Sequence, residues 1–382
     1  MKVVLSIDSV RFPLTGIGRY TFELAKQLEQ LPQIEQLYLL SRRQIVADIP
    51  VPTISFSQKN AGTVRLQNAI LKNPAITEIY RWLNSKANML ALRNYADCVF
   101  HGPNFYLPPF GGAAVSSIHD LSVFTWAQCH PPERVSFMRK EIEQTLKRAD
   151  RLIADSEFNR KEIADYFAWP LEKIHAVPLA CAEEFRPRGA EELVPVLQKY
   201  SLRPAGYSLF VGTIEPRKNI ESLLDAYSML PMQLRRNWPL VLSGHHGWRS
   251  EKLHDRINVA MTEGWVRYLG FVSTDELPLL YSGARLFIFP SLYEGFGLPI
   301  LEAMASGIPV VCSDSACLPE VADGAAAMCA AKDVDALCNL IQAGLDDEVW
   351  RSEAMQKGLV QASRYSWKRC AEETVDVYRA LV

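Results

Sequence analysis

Two glutamates, Glu294 and Glu302, stand eight residues apart around the glycines Gly295 and Gly297. The stretch opens with the apolar run Leu286 to Phe289, short enough for a buried parallel strand. Pro299 suits the first turn of a helix, where a missing N–H costs nothing, and Gly307 suits its C-terminal stop. Pro309 to Cys312 starts the next strand. Strand, glycine loop and helix make an anion-binding unit along Gly295, Phe296, Gly297 and Leu298. Glycine lets the backbone approach a ligand, and the helix start offers free N–H groups. Carboxylates beside such a site suit a ligand whose hydroxyls adjoin its phosphates. Glutamates then accept from sugar hydroxyls while backbone N–H groups take the phosphates, which describes a nucleotide sugar. The competing reading makes Glu302 a helix-dipole partner and Glu294 a solvated loop charge. The residues alone leave both open.

Other groups able to do chemistry sit at strand ends. Arg217 and Lys218, in Gly212-Thr-Ile-Glu-Pro-Arg-Lys-Asn219, put a forked donor next to a point charge, a pair suited to a diphosphate or simply solvated. His119-Asp120 closes the strand Val115–Ile118, where open α/β sheets bind ligands, although a lone histidine is more often structural. His101-Gly-Pro-Asn104 closes the strand before it. After the first strand, Val3–Ile7, comes Pro13-Leu-Thr-Gly16-Ile-Gly18-Arg19-Tyr20, a second glycine turn entering a helix. It lacks the third glycine and the distal acid of a dinucleotide fingerprint.

Glu294-Gly-Phe-Gly-Leu-Pro-Ile-Leu-Glu302, with the following Ala-Met-Ala-Ser-Gly-Ile-Pro-Val-Val, resembles the two-glutamate signature of the retaining GT-B glycosyltransferases of family 4. Together with the Gly-Thr-Ile-Glu-Pro-Arg-Lys-Asn segment it is similar to bacterial mannosyltransferases of polysaccharide (O-antigen) assembly. The resemblance implies an α/β fold of two Rossmann-like domains facing across a cleft. Residues 1–188 would bind acceptor, 196–365 would bind the nucleotide sugar, and 366–382 would form a crossover helix returning to the first domain. It implies donor contacts from Gly16, Gly18, Arg217, Lys218, Val272, Glu294, Gly295, Phe296, Gly297, Leu298 and Glu302. Arg19, His101, Asn104 and Asp120 would lie on the acceptor side. His119, at the reacting sugar, would act with Glu294, Arg217 and Lys218 in catalysis. The implied donor is GDP-mannose, with a UDP-hexose as the alternative, and the implied acceptor is a polyprenyl-linked glycan in lipopolysaccharide synthesis. No metal and no cofactor are implied. A GT-B sugar-nucleotide epimerase or a non-catalytic nucleotide-sugar sensor would share the donor, and donor turnover with and without acceptor separates the three.

The rest of the chain must position these groups. At 382 residues it is long enough for two domains, and 48% hydrophobic with 22% charged residues describes a folded protein. A net charge of −2 gives no reason to expect nucleic acid. The eight cysteines show no Cys-x-x-Cys pair and read as reduced thiols of a cytoplasmic protein. His245-His246 reads as a loop after a strand, and Asp333-Val-Asp335 as a helix start, not as metal ligands. Ser156 is a cap for a helix running to Phe167, and Ser273-x-x-Glu276 reads as a capping box. Residues 182–205, with Pro187, Gly189, Pro195 and Pro204, read as the interdomain linker. Residues 59–95 carry Lys59, Arg65, Lys72, Arg81, Lys86 and Arg93 against Glu78 alone, with Trp82 and several aliphatics interleaved. That basic amphipathic region suits an anionic membrane surface, or two helices with a solvated face.

Overall fold

Continuous apolar tetrads such as Leu286-Phe-Ile-Phe289, buried at every position, can only be satisfied by a sheet covered on both faces. The computed structural model, which describes residues 1–14, 16–50 and 87–382, contains two such sheets. The first holds β1 (Lys2–Ser6), β2 (Gln36–Ser41), β3 (Gln44–Val46), β4 (Val99–Gly102), β5 (Ala114–Ile118), β6 (Arg151–Ala154) and β7 (Ile174–Ala176). Its order is β3-β2-β1-β4-β5-β6-β7, parallel except for the β2–β3 hairpin. The second holds β8 (Ser208–Val211), β9 (Leu240–Ser243), β10 (Val266–Gly270), β11 (Leu286–Phe289), β12 (Val310–Ser313) and β13 (Ala327–Cys329), in the order β10-β9-β8-β11-β12-β13. Both reverse direction of winding beside their first strand, between β1 and β4 and between β8 and β11. Ligands bind at the carboxyl ends of strands at such a reversal. The loops after β1, β4, β8 and β11 are where the sequence carries its glycines and charges.

The helices used below are α1 (Gly16–Leu28), α2 (Pro132–Leu146), α3 (Glu157–Phe167), α4 (Ala190–Lys199), α5 (Ile220–Met229), α6 (Leu277–Ser282), α7 (Leu298–Ala305), α8 (Leu318–Ala322), α9 (Val334–Asp346) and α10 (Trp367–Arg379). Local chemistry starts several of them. The Ser156 hydroxyl accepts from Asn159 N at 3.1 Å at the head of α3, and Asp333 Oδ1 accepts from Ala336 N at 2.9 Å at the head of α9.

Two expectations fail. The segment 182–205 is not a loop throughout, because α4 occupies its middle with Pro195 inside the helix. Leu193 and Leu197 are buried, and Leu197 packs against Gly283 beside α6, so apolar burial outweighs the lost backbone hydrogen bond. The capping box at Ser273 does not form either. The helix begins at Leu277, and Glu276 instead reaches Lys199 Nζ at 2.7 Å and the Tyr200 hydroxyl at 2.5 Å.

The helix α10 follows the second sheet in sequence but packs on α1 and β6 of the first. Its Tyr378 hydroxyl lies 2.6 Å from His101 Nδ1, whose other nitrogen lies 2.9 Å from Ser117 Oγ. Tyr20 of α1 completes the chain of contacts at 2.8 Å from the same Ser117 hydroxyl. Among the described residues no helix is long and apolar enough to cross a membrane. Five of the six cations in the basic region, and Trp82, lie outside the described residues.

Candidate active site

The loop after β11 and the short turn after β8 bring four charged groups together. Lys218 Nζ donates to Glu294 Oε1 at 2.5 Å. Arg217 donates to Glu294 Oε2 at 3.3 Å, to the Tyr293 carbonyl at 2.7 Å and to Glu215 Oε1 at 2.9 Å. Glu215, Arg217, Lys218 and Glu294 are all buried. Burial alone would raise the Glu294 pKa, but Lys218 and then Arg217 outweigh it, so the carboxyl is held below its usual value. The cations expected to hold a diphosphate and the carboxylate expected to hold sugar hydroxyls therefore form one cluster. Glu215, unremarked in the sequence, fixes the far side of the guanidinium.

Beside the cluster, Gly297 has φ = 96°, a left-handed turn that aims the chain into α7, and Leu298 is half-buried at the first helical position. Phe296 and Val272 are buried in the core, so neither side chain is offered to a ligand. Beside Val272, Phe271 is 42% exposed and stacks on His245 at 4.5 Å, making a flat aromatic platform near the end of β10.

Glu302 lies on α7. Burial pushes its pKa up to about 7, against the opposing pull of Tyr281 and Arg19. Arg19, expected on the acceptor side, thus acts on the donor-side glutamate. Gly16 and Gly18 form the first turn of that same helix α1. The folded state holds a proton on Glu302 that the unfolded chain, with its ordinary value of 4.5, has released. Stability from this group is therefore present at low pH and lost as pH rises from 4.5 to about 7. Glu302→Gln is expected to stabilise the protein by roughly 1–3 kcal/mol near pH 8 and to change little near pH 5. Urea unfolding at both values checks this, and an equal effect at both would sink it.

The first sheet meets this loop directly. A Cβ on Gly295 would lie 1.7 Å from the His119 carbonyl oxygen, so only glycine permits the approach. Ser156 Oγ donates to the Gly295 carbonyl at 2.7 Å, and Leu121 N donates to the Tyr293 hydroxyl at 2.9 Å. Tyr293 in turn donates to Glu162 at 2.5 Å. Glu320 of α8 accepts from Glu157 N and Phe158 N, at 2.8 and 3.0 Å, and so caps a helix of the other half.

His119 does not present its imidazole to the cleft as expected. Nδ1 lies 2.8 Å from Asp155 and Nε2 lies 2.8 Å from the Pro103 carbonyl. Pro103 offers only a carbonyl, so Nε2 donates; Asp155, whose own pKa burial raises, accepts from Nδ1 when ionised, and the ring is then a cation. Burial opposes that charge, but Asp155 and the Pro103 carbonyl outweigh it and the pKa is raised. His101 is likewise no acceptor-side residue. It is fully buried, both its nitrogens are engaged, and burial lowers its pKa to about 3. Asp120 accepts from Ser122 N at 2.8 Å; burial is opposed by nearby Arg217, and its pKa is lowered. Asn104 is half-buried beside Phe105, which has φ = 63°. Asp155 was missed because a strand-end aspartate carries no signal without its partner.

Two sheets reversing at β1 and β8, with an anion-suited loop and helix facing the first sheet, define a GT-B architecture. Residues 202–363 match the family described as Glycosyl transferases group 1. O-antigen chain mannosyltransferase B of Escherichia coli is 43% identical over 381 residues, covering 100% of both chains. Serotype-specific mannosyltransferase WbdA of E. coli is 34% identical over 258 residues, 66% of this chain and 31% of that one. The crystal structure of Anabaena HepE in complex with UDP-glucose superposes with a TM-score of 0.72 at 16% identity, covering 100% of each chain. The chain belongs to the group 1 glycosyl transferases, and it is an enzyme of glycosyl transfer. The family resemblance and the fold expected from the two-glutamate stretch are thereby borne out.

Proposed function

We propose that this enzyme moves mannose from GDP-mannose onto a lipid-linked glycan, with retention at the anomeric carbon, in surface polysaccharide assembly. The observation that carries the reading is the buried Lys218–Glu294–Arg217 cluster at the glycine loop before α7. Lys218, Arg217 and the N–H groups opening α7 offset the charge that grows on a departing diphosphate. Glu294 holds sugar hydroxyls and Glu302 the ribose. The anomeric C–O bond to phosphate breaks as the acceptor oxygen bonds the same carbon on the same face. The acceptor proton passes to the departing phosphate oxygen. We assign acceptor binding to residues 1–188, donor binding to 196–365 and bracing to 366–382.

The mannose preference draws on the named activities of the two E. coli relatives, and the guanine preference on the family resemblance alone. A panel of nucleotide sugars, run against crude polyprenyl-linked glycans, tests the reaction. Calorimetry tests the base, with GDP expected to bind more tightly than UDP, and tight UDP binding with undetectable GDP binding overturning the preference. Activity is expected to survive EDTA, and strict dependence on added magnesium would contradict the role given to Lys218. Peripheral attachment through residues 59–95 is a further proposal. Each Lys or Arg near an anionic surface contributes about 1 kcal/mol. Replacing Lys72, Arg81 and Lys86 by Glu is expected to abolish liposome flotation and spare nucleotide binding. Unchanged flotation would return that region to a solvated face.

A further inference from the structure

Among the described residues, the two cations of the charge cluster are surrounded by three carboxylates. Glu294 takes Lys218 at 2.5 Å and Arg217 at 3.3 Å. Glu215 takes the other arm of Arg217 at 2.9 Å, and Asp120 acts on the same guanidinium from the first-sheet half. The pKa values of Glu294 and Asp120 are both lowered, so both are ionised at neutral pH. A site built only to grip a diphosphate would not hold more negative charge than positive around its cations. The groups assigned to the departing diphosphate are already bonded, and a phosphate oxygen takes the Lys218 ammonium only in exchange for Glu294 Oε1.

That exchange involves side chains alone. Leu292 N donates to the Arg217 carbonyl at 2.9 Å, tying the loop that carries Glu294 to the turn that carries Lys218. Three consecutive carbonyls of the loop are fixed: Tyr293 by Arg217 at 2.7 Å, Glu294 by Cys317 Sγ at 3.2 Å, and Gly295 by Ser156 Oγ at 2.7 Å. The Glu294 backbone therefore stays where it is, and its carboxylate swings about its own side-chain bonds. Lys218 keeps its place meanwhile, because its ammonium lies 5.3 Å from the centre of the Phe289 ring. The Lys218 and Glu294 side chains retain 11% and 9% exposure, so a ligand reaches both.

The chemistry of transfer sets the direction of the swing. In a nucleotide sugar the terminal phosphate is esterified, and the sugar beside it offers hydroxyl donors to Glu294. Transfer removes those hydroxyls and frees the phosphate, which gains a further ionisation at about pH 6. The product is then more negative than the donor was, and the same cations hold it harder. Glu294, with no sugar to hold, is the tethered anion bonded to Lys218 in this structure. We propose that Glu294 displaces the product diphosphate from Lys218, so that one carboxylate first holds the sugar and then expels the nucleotide. The proposal rests on the glycosyl-transfer reading and adds a product-release step to it.

Calorimetry and stopped-flow displacement on the full chain use GDP and UDP, neither of which carries a sugar. Glu294→Gln removes the charge and keeps the shape. It is expected to bind the tighter of the two nucleotides about tenfold better than the parent protein does, the scale of one charge-assisted hydrogen bond, with the gain in slower dissociation. Glu294→Asp keeps the charge and withdraws it by one methylene, and is expected to tighten binding by about threefold. It carries the test alone if the Gln variant lacks a cooperative urea transition. In a Lys218→Met background the Gln effect is expected to fall below about twofold, which relief of general repulsion would not produce. Unchanged or weaker nucleotide binding in the folded variants overturns the proposal. So does a gain carried by association alone, or one that persists without Lys218. If the parent protein binds neither nucleotide, the transfer reading falls and takes this one with it; if it binds one and the variants bind it no tighter, this one falls alone.

Discussion

Lys218→Ala is expected to lower kcat/KM by roughly 30- to 900-fold, the equivalent of about 2–4 kcal/mol of transition-state stabilisation. Two effects add. The ammonium no longer meets the charge developing on the departing diphosphate, and Glu294 loses its 2.5 Å partner inside a buried site. With Lys218 gone, Arg217 and the Ser291 hydroxyl are left to oppose the burial that raises the Glu294 pKa, so part of the loss should be pH-dependent. Because Lys218 holds the Glu294 pKa low, the variant should fall furthest behind the parent enzyme at acid pH, where Glu294 regains a proton first. Steady-state kinetics with saturating acceptor across pH checks both statements. A fall under threefold at every pH would show that Lys218 serves the cluster's packing and not the reaction.

Asp155→Asn should be costly for a different reason. Removing one partner of a buried pair leaves the other charge uncompensated, at about 3–5 kcal/mol. The sign of its pH dependence follows from the raised His119 pKa. The pair's stabilisation is fully present below the unfolded value of 6.5 and is lost as pH rises through the folded value. The cost of Asp155→Asn should therefore be largest below pH 6.5 and shrink in alkali, as read by urea unfolding. His119→Ala is expected to lower transfer more than nucleotide affinity, because the His119 carbonyl lies against Gly295 while its imidazole only holds that segment in place. Equal losses in rate and in nucleotide affinity would mark His119 as a residue of the fold alone.

The sheet-forming runs were legible because parallel strands buried on both faces are almost wholly apolar, and Leu286–Phe289 is found at the expected residues. The caps at Ser156 and Asp333 were legible because a single side chain acts on a neighbouring N–H. What failed depended on distant partners. Pro195 looks like a breaker until Leu197 is seen packed beside Gly283, and Glu276 looks like half of a capping box until Lys199 and Tyr200 claim it. In the site, Glu294, Arg217 and Lys218 were readable as a group, whereas Glu215 and Asp155 were not. Each takes its meaning from a contact that no local spacing announces. His101 shows the converse, a polar residue at a ligand-binding strand end that is spoken for by Tyr378.

That contact sets the order in which the protein can be made. His101 and Tyr378 are 277 residues apart, so β4 leaves the ribosome long before its hydroxyl partner exists. At about 5–20 residues per second, β4 waits roughly 14–55 s for that partner. Through that interval Tyr20 and Trp367, neighbours in the finished molecule at 6.3 Å, belong to a nascent chain and to messenger not yet translated. The half of the enzyme that is synthesised first is thus the half that matures last, and it is this half that a chaperone would meet during translation.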